Sequence, residues 1–342
     1  MLVKKNLQTC LYQDLLERLV PSNHTYRRLN QWLDLKNLIK SLESCYSQTK
    51  GTDSHPLESG LRALLLQFWN SLSDRQLSRY LQENVAAKWF CQFGLEQTVP
   101  DYSYFSRLRK KIGVERLTNF FNEVNQKLKE AGYIGGAFSF VDASSLIARV
   151  NVWEARDRAI ADPKNEIISG DEQKKKTMNN QNLSNYVSDP EARFGCKGKN
   201  RFWLGYKRHC QVDMKQGMIT QVAVTSAEVP DAKAFIEEDL CPETGMLFLD
   251  KGYDDQAVDQ VIKEKGCSPA TVRKKNHPQK EPFLDHWRNQ VRMPFENTFA
   301  RLDKKCRYRG KEKTLFQTTL EGLVFNFKRL MRLTTFDPPL QA

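Results

Sequence analysis

Near Gly135 the apolar residues of this chain change their period. Ahead of that point they recur every three or four residues, the spacing of amphipathic helices. Behind it come short runs rich in β-branched and aromatic residues, which read as strands set between helical stretches. The pattern predicts an α/β unit with a mixed sheet and flanking helices, preceded by an all-α region. The change of period sets the expected boundary: residues 1–134 helical, residues 135–335 mixed.

In the first region, QWLDLKNLIKSLESCY places Trp32, Leu35, Leu38, Ile39 and Leu42 on one helical stripe. ESGLRALLLQFWNSLSDRQLSRYL reads as two helices parted at Ser71-Leu72-Ser73, with Ser73 and Gln76 spaced as a capping box. Pro100 and Asp101 open a third helix, DYSYFSRLRKKIG, whose Arg107, Arg109, Lys110 and Lys111 form a basic cluster. Short helices with tight turns suit a helix-turn-helix reader of duplex DNA. A plain helical bundle with a solvated basic face fits the same pattern.

The second region reads strand, strand, strand, helix, strand, helix, strand, helix. AFSFVDASSL is the first strand, and FWLGYKRHCQVDMKQGMITQVAVTSAEV is a hairpin turning at Lys215-Gln216-Gly217. DAKAFIEEDL is a helix, GMLFLD a strand, DQAVDQVIKEKG a helix and SPATVR a brief fifth strand. MPFENTFARLDKK reads as a helix with Phe295, Phe299 and Leu302 as its stripe, and TLEGLVFNFKRLMRL as a last amphipathic helix.

Three carboxylates stand out in this order. Asp142 ends the first strand, Asp250 ends the fourth, and Glu296 lies on the helix after the fifth. The first and fourth strands of such a sheet can be neighbours, which lets the three converge. Crowded carboxylates resist ionisation unless a cation sits among them. Hard oxygen ligands suit Mg²⁺ or Mn²⁺, and two such ions support phosphoryl transfer. A single strand-end aspartate is as readily a turn cap or a surface charge; the joint pattern points to metal.

Charge supplies a partner for that chemistry. Lys and Arg total 53 against 41 Asp and Glu, a net charge of +12 over 342 residues. A polyanion such as DNA fits that excess, because neutralised phosphates release counterions. A merely basic protein would show the same balance. The 8 cysteines include no Cys-x-x-Cys or zinc-finger spacing, so free thiols and a reduced, cytoplasmic setting are expected. No apolar leader and no run of about 18 apolar residues occurs.

Two further stretches bear on DNA. Glu154 to Asn200 is polar and lacks a period, as in a mobile basic loop or a DNA-contacting arm. In FGCKGKNRFWLGYKRH, Lys197, Lys199, Arg201, Lys207 and Arg208 interleave with Phe194, Phe202, Trp203 and Tyr206. Basic residues of this kind meet phosphates while aromatics stack on unpaired bases. A hairpin whose Trp203 and Tyr206 belong to the core fits equally.

The motifs SFVDASSL, DPEARFGCKGKNRFWLGYKRHCQVD, LFLDKGYDD and RMPFENTFARLDKKCRYR resemble those of bacterial insertion-sequence transposases of the DDE type, in the branch named for insertion sequences four and five. The likeness runs from about residue 57 to 332, and the helical stretches before Gly113 resemble the N-terminal region of the same proteins. It implies a ribonuclease H-like catalytic domain, with Asp142, Asp250 and Glu296 as the acidic trio holding two Mg²⁺ or Mn²⁺ ions. The third motif of that family runs Tyr, Arg, Glu, Lys at fixed spacing. Arg292 fits it, the Tyr place holds Asn289, and the Lys place holds Asp303 with Lys304 one step later. Arg292, Lys304, Lys251, Tyr253 and the basic hairpin are then the expected DNA contacts within the catalytic domain. The implied activity is cleavage at the element's terminal inverted repeats and transfer of the freed 3′-hydroxyl into target DNA, by a homodimer on DNA associated with the bacterial nucleoid. A hydrolytic nuclease of the same fold, or a non-catalytic DNA-binding derivative, is the alternative.

Overall fold

The computed structural model describes residues 11–47, 54–161, 178–198, 200–278, 280–295 and 297–336. The chain forms two compact units, Met1–Val124 with Leu320–Ala342, and Asn125–Thr319.

The first unit is helical. It holds α1 (Leu11–Leu19), α2 (Thr25–Trp32), α3 (Lys36–Glu43), α4 (Leu57–Trp69), α5 (Asp74–Glu83), α6 (Val85–Cys91) and the first part of α7 (Tyr102–Glu130). The helix expected through Trp32 and Leu42 is two helices: Leu33 turns extended, and Asp34 accepts a hydrogen bond from the Lys36 N–H at 3.1 Å to start α3. Leu33, Leu35, Leu38 and Leu42 are still buried, so the apolar spacing recorded burial without a continuous helix. α4 is buried nearly all round, through Leu57, Leu61, Leu64, Leu65, Leu66 and Phe68, as a central helix must be. α5 opens with the expected capping box, Gln76 N–H to Ser73 Oγ at 3.3 Å and Ser73 N–H to Gln76 Oε1 at 2.8 Å. The helix opened by Asp101 kinks at Gly113, where φ is +67°, and a second helical stretch follows it.

The second unit is built on one six-stranded sheet. Its elements are β1 (Phe138–Ile147), α8 (Val152–Ala161), β2 (Arg193–Lys197), β3 (Arg201–Asp213), β4 (Met218–Ser226), α9 (Asp231–Glu237), β5 (Met246–Leu249), α10 (Gln256–Glu264), β6 (Ser268–Thr271), α11 (Pro282–Arg292) and α12 (Asn297–Ala300), then the start of α13 (Lys311–Phe336). β1, β3 and β4 are antiparallel, β5 runs parallel to β1, and β6 runs parallel to β5. β2 pairs with the first five residues of β3. The first and fourth of the expected strands are therefore neighbours, and the order β4-β3-β1-β5-β6 is that of a ribonuclease H-like sheet.

Alternation along the strands sorts residues between two faces. Val141, Ala223, Leu247 and Leu249 point to the face covered by α9 and α10, where they meet Phe235, Tyr253, Val258 and Ile262. Leu146, Leu204, Tyr206 and Val224 point to the other, under Ala155 and Ala159 of α8. On that second face Phe248 meets Trp287 of α11 at 5.7 Å, and Phe140 meets Phe295 at 6.1 Å between ring centres. Gly245, at φ +95°, starts β5; a Cβ there would lie 2.4 Å from the Gly136 carbonyl oxygen.

Three expectations change. Asp142 lies within β1, since pairing with β3 continues to Ile147 and Gly205, past the pairing of Phe140 with Phe248 in β5. MPFENTFARLDKK is not one helix. α11 ends at Arg292, a single 3₁₀ turn spans Met293–Phe295, and α12 is short. Pro294 has no N–H with which to continue an α-helical ladder. The stretch from Glu154 to Asn200 contains most of α8 and all of β2; its middle, and Lys199, lie outside the described residues.

Asp189 ties this unit together. It is fully buried, and accepts hydrogen bonds from the Tyr206 hydroxyl at 2.7 Å and the Gly310 N–H at 3.1 Å. Asp189→Ala leaves the buried Tyr206 hydroxyl and the half-buried Gly310 N–H without this acceptor. It is expected to cost about 2–3 kcal/mol in urea unfolding; a change under about 0.5 kcal/mol would show that the two bonds carry little.

Candidate active site

β1 and β5 set the site. Their register pairs Phe140 with Phe248, and two residues further along each chain stand Asp142 and Asp250. Side chains two apart share a face, so both carboxylates extend from the face that carries Phe140 and Phe248. Neighbouring strands lie about 4.8 Å apart. Asp250 leaves the strand as the cap of a 3₁₀ turn, its Oδ1 accepting the Gly252 N–H at 2.7 Å. Asp142 Oδ1 accepts the Ala143 N–H at 2.8 Å.

Asp142 is held in an environment that resists its charge. Burial raises its pKa to about 6; Arg292 opposes the rise, and Asp250 adds to it. Arg292, 6% exposed at the end of α11, brings its guanidinium to 3.9 Å from Asp142 Oδ2. Lys197, the last residue of β2, also favours the ionised carboxylate. A half-buried carboxylate beside a second one, met by cations from two directions, is a donor set suited to a hard divalent ion.

Glu296 lies outside the described residues. Its neighbour in sequence, Phe295, packs on Phe140, two residues before Asp142 on the same face. Arg292 and Phe295 thus both approach the face that carries the two aspartates.

The expected basic contacts fall into two groups. Lys197, Arg201, Lys251 and Lys304 are exposed, and Phe202 beside Arg201 is 68% exposed. In the helical unit, Arg107 and Lys110 are exposed as well. The others engage the protein itself. Lys207 donates to Asp231 Oδ1 at 2.8 Å and to the Val229 carbonyl at 2.7 Å. Arg208 is buried and donates to Ser144 Oγ at 3.2 Å. Arg109 pairs with Asp74 at 2.6 Å, and Lys111 Nζ sits 3.4 Å from the centre of the Tyr46 ring. Tyr253 is fully buried, its ring edge-on to Phe235. Asp303 pairs with Arg307 at 2.9 Å.

The reason is alternation. Lys207 and Arg208 are consecutive on a strand flanked on both sides, so one points to each covered face. A basic run in such a strand cannot present every charge to solvent. Asp231, the partner of Lys207, was not among the expected residues; its signal was the need for a largely enclosed lysine to find a carboxylate.

Residues 14–111 match the family described as Transposase domain (DUF772), and residues 166–321 match the Transposase DDE domain. Asp250 and Glu296 fall inside the second match, and Asp142 precedes it. Among solved structures, a piggyBac transposase synaptic complex with hairpin DNA aligns at 9% identity over 98% of this chain and 78% of that one, with a TM-score of 0.45. A Mos1 transposase paired-end complex with left transposon end aligns at 8% identity over 96% and 92%, with a TM-score of 0.18. A pre-cleavage Mos1 transpososome aligns at 9% identity over 97% and 98%, with a TM-score of 0.20. The assignment stands on the two sequence families, with a sheet order that agrees with them. By these matches the chain belongs to the DDE transposases of insertion sequences, metal-dependent enzymes that act on DNA.

Proposed function

We propose that Asp142, Asp250 and Glu296 are the acidic residues of this transposase, in the branch of insertion sequences four and five, and that they hold two Mg²⁺ or Mn²⁺ ions. The observation that supports the reading is the β1–β5 register, which pairs Phe140 with Phe248, each two residues ahead of an aspartate, together with the effect of the Asp250 charge on Asp142. When bound, the ions supply Lewis-acid stabilisation of the attacking and leaving oxygens in phosphoryl transfer. The protein's own groups do the rest. Asp250 gives one oxygen to the Gly252 N–H, which leaves the other for metal. Arg292 balances Asp142 in the free protein and is placed to hold a phosphate oxygen once the carboxylate turns to metal. Lys197, Arg201, Lys251 and Lys304 meet the DNA backbone, and Phe202 stacks on an unpaired base. The chemistry is hydrolysis at the terminal inverted repeat, then in-line attack of the 3′-hydroxyl on target DNA, carried out by a homodimer in the bacterial cytoplasm at the nucleoid.

The helical unit carries recognition of the element's ends. Arg107 and Lys110 are its exposed cations on the first stretch of α7, and base-edge contacts from such a helix specify sequence where phosphate contacts do not.

Asp250→Asn should abolish nicking of end DNA in Mg²⁺ while leaving end binding nearly intact; nicking at the wild-type rate would remove Asp250 from the ligands. Because Asp142 titrates near pH 6 without metal, its proton competes with the ion. Mn²⁺ affinity should therefore rise as pH increases through about 6, by up to about tenfold per unit for one proton. An affinity unchanged between about pH 5 and 7 would contradict that.

Arg107→Ala with Lys110→Ala should weaken binding to end duplex while nonspecific nicking persists. The salt slope should flatten by about 0.9 for each phosphate left without its cation. Unchanged preference for end over scrambled duplex would assign recognition elsewhere.

A further inference from the structure

Lys207 and Asp231 form a pair that the proposed chemistry does not use. Their side chains are 15% and 30% exposed. Asp231 Oδ1 is occupied by the Lys207 ammonium at 2.8 Å. Oδ2, the other oxygen, faces the turn that holds Asp250. A Cβ at Gly252 would lie 3.6 Å from Asp231 Oδ2 and 2.9 Å from Asp250 Oδ1. Space for one absent methyl group is thus all that separates a fourth carboxylate from a proposed metal ligand. Phe235 of α9 packs on Tyr253 of the same turn, 6.1 Å between ring centres, which fixes the approach.

A divalent ion is drawn to clustered carboxylate oxygens. α9 covers the face of Val141 and Leu247, opposite to the face that carries Asp142. An unpaired Asp231 would offer Asp250 a second partner in competition with Asp142. Burial, and then Asp231, Asp142 and Asp250, all disfavour ionisation of the Tyr253 hydroxyl, so the three carboxylates lie around one residue. The Lys207 ammonium already supplies Asp231 with its cation.

We propose that Lys207 is a positioning residue for metal binding: it occupies Asp231 and leaves Asp250 to pair with Asp142. The proposal rests on Asp250 being a ligand. It gives Lys207 a role inside the protein in place of the phosphate contact that its position in a basic run suggests.

The test is Mn²⁺ binding by calorimetry on the full-length chain, beside nicking of end DNA. Lys207→Met should bind Mn²⁺ about fivefold tighter or take up an additional ion, and should nick about tenfold more slowly. Adding Asp231→Asn to Lys207→Met should return Mn²⁺ binding to the wild-type value and recover most of the nicking. A merely structural role would lower the thermal midpoint without tightening metal binding. Asp231→Asn alone guards against a Lys207→Met protein that does not fold; it should bind Mn²⁺ within about threefold of wild type. The proposal is overturned by Lys207→Met binding Mn²⁺ no tighter than wild type, by no recovery in the double variant, or by Asp231→Asn weakening Mn²⁺ as much as Asp250→Asn does. Wild-type Mn²⁺ binding by Asp250→Asn would instead bring down the ligand assignment itself.

Discussion

Everything at the site depends on the parallel pairing of β1 with β5. Three register pairs, from Phe138 with Met246 to Phe140 with Phe248, set where each chain delivers its next residues. A slip of one residue would turn Asp250 to the face filled by Leu247 and Leu249. That face is packed with Phe235, Tyr253, Val258 and Ile262, so the slip would bury a charge and expose a leucine. The hydrophobic core therefore enforces the juxtaposition of two carboxylates whose charges oppose it. Gly245 makes the arrangement possible at its start, where β5 comes too close to the Gly136 carbonyl for any side chain.

Repulsion between the aspartates is managed by cations drawn from separate elements. Arg292 comes from α11 and Lys197 from β2. Neither of these neutralises the site fully, since Asp142 still holds its proton to about pH 6. Incomplete compensation is what a metal-binding site needs: enough to fold, with charge left over for the ion. On the proposed reading, part of the preference for metal is thus stored in the fold itself.

The sequence was most legible where apolar period and turn chemistry agreed. The β3–β4 hairpin at Gly217, the Ser73 capping box and β5 all stand where their residues put them. It was least legible where backbone chemistry overrode period. Leu33 and Leu35 kept the apolar spacing of a helix while the chain turned at Leu33 and Asp34, and Pro294 broke the helix that Phe295 and Leu302 suggested. For the site, strand order alone made β1 and β5 neighbours, while the continuation of β1 past Asp142 did not show in the apolar pattern. The fate of Lys207, Arg208 and Arg109 did not show either, because a run of basic residues does not say which face each takes or which carboxylate, Asp231 or Asp74, will meet it.

Asp142 and Asp250 are proposed to serve one metal centre. The most direct measurement is an anomalous-scattering map from crystals of the protein soaked in Mn²⁺. A shared centre gives a peak in contact with carboxylate oxygens of both Asp142 and Asp250, at about 2.0–2.3 Å. A peak bound by only one of them, no peak between them at saturating Mn²⁺, or carboxyl groups more than about 10 Å apart would contradict it.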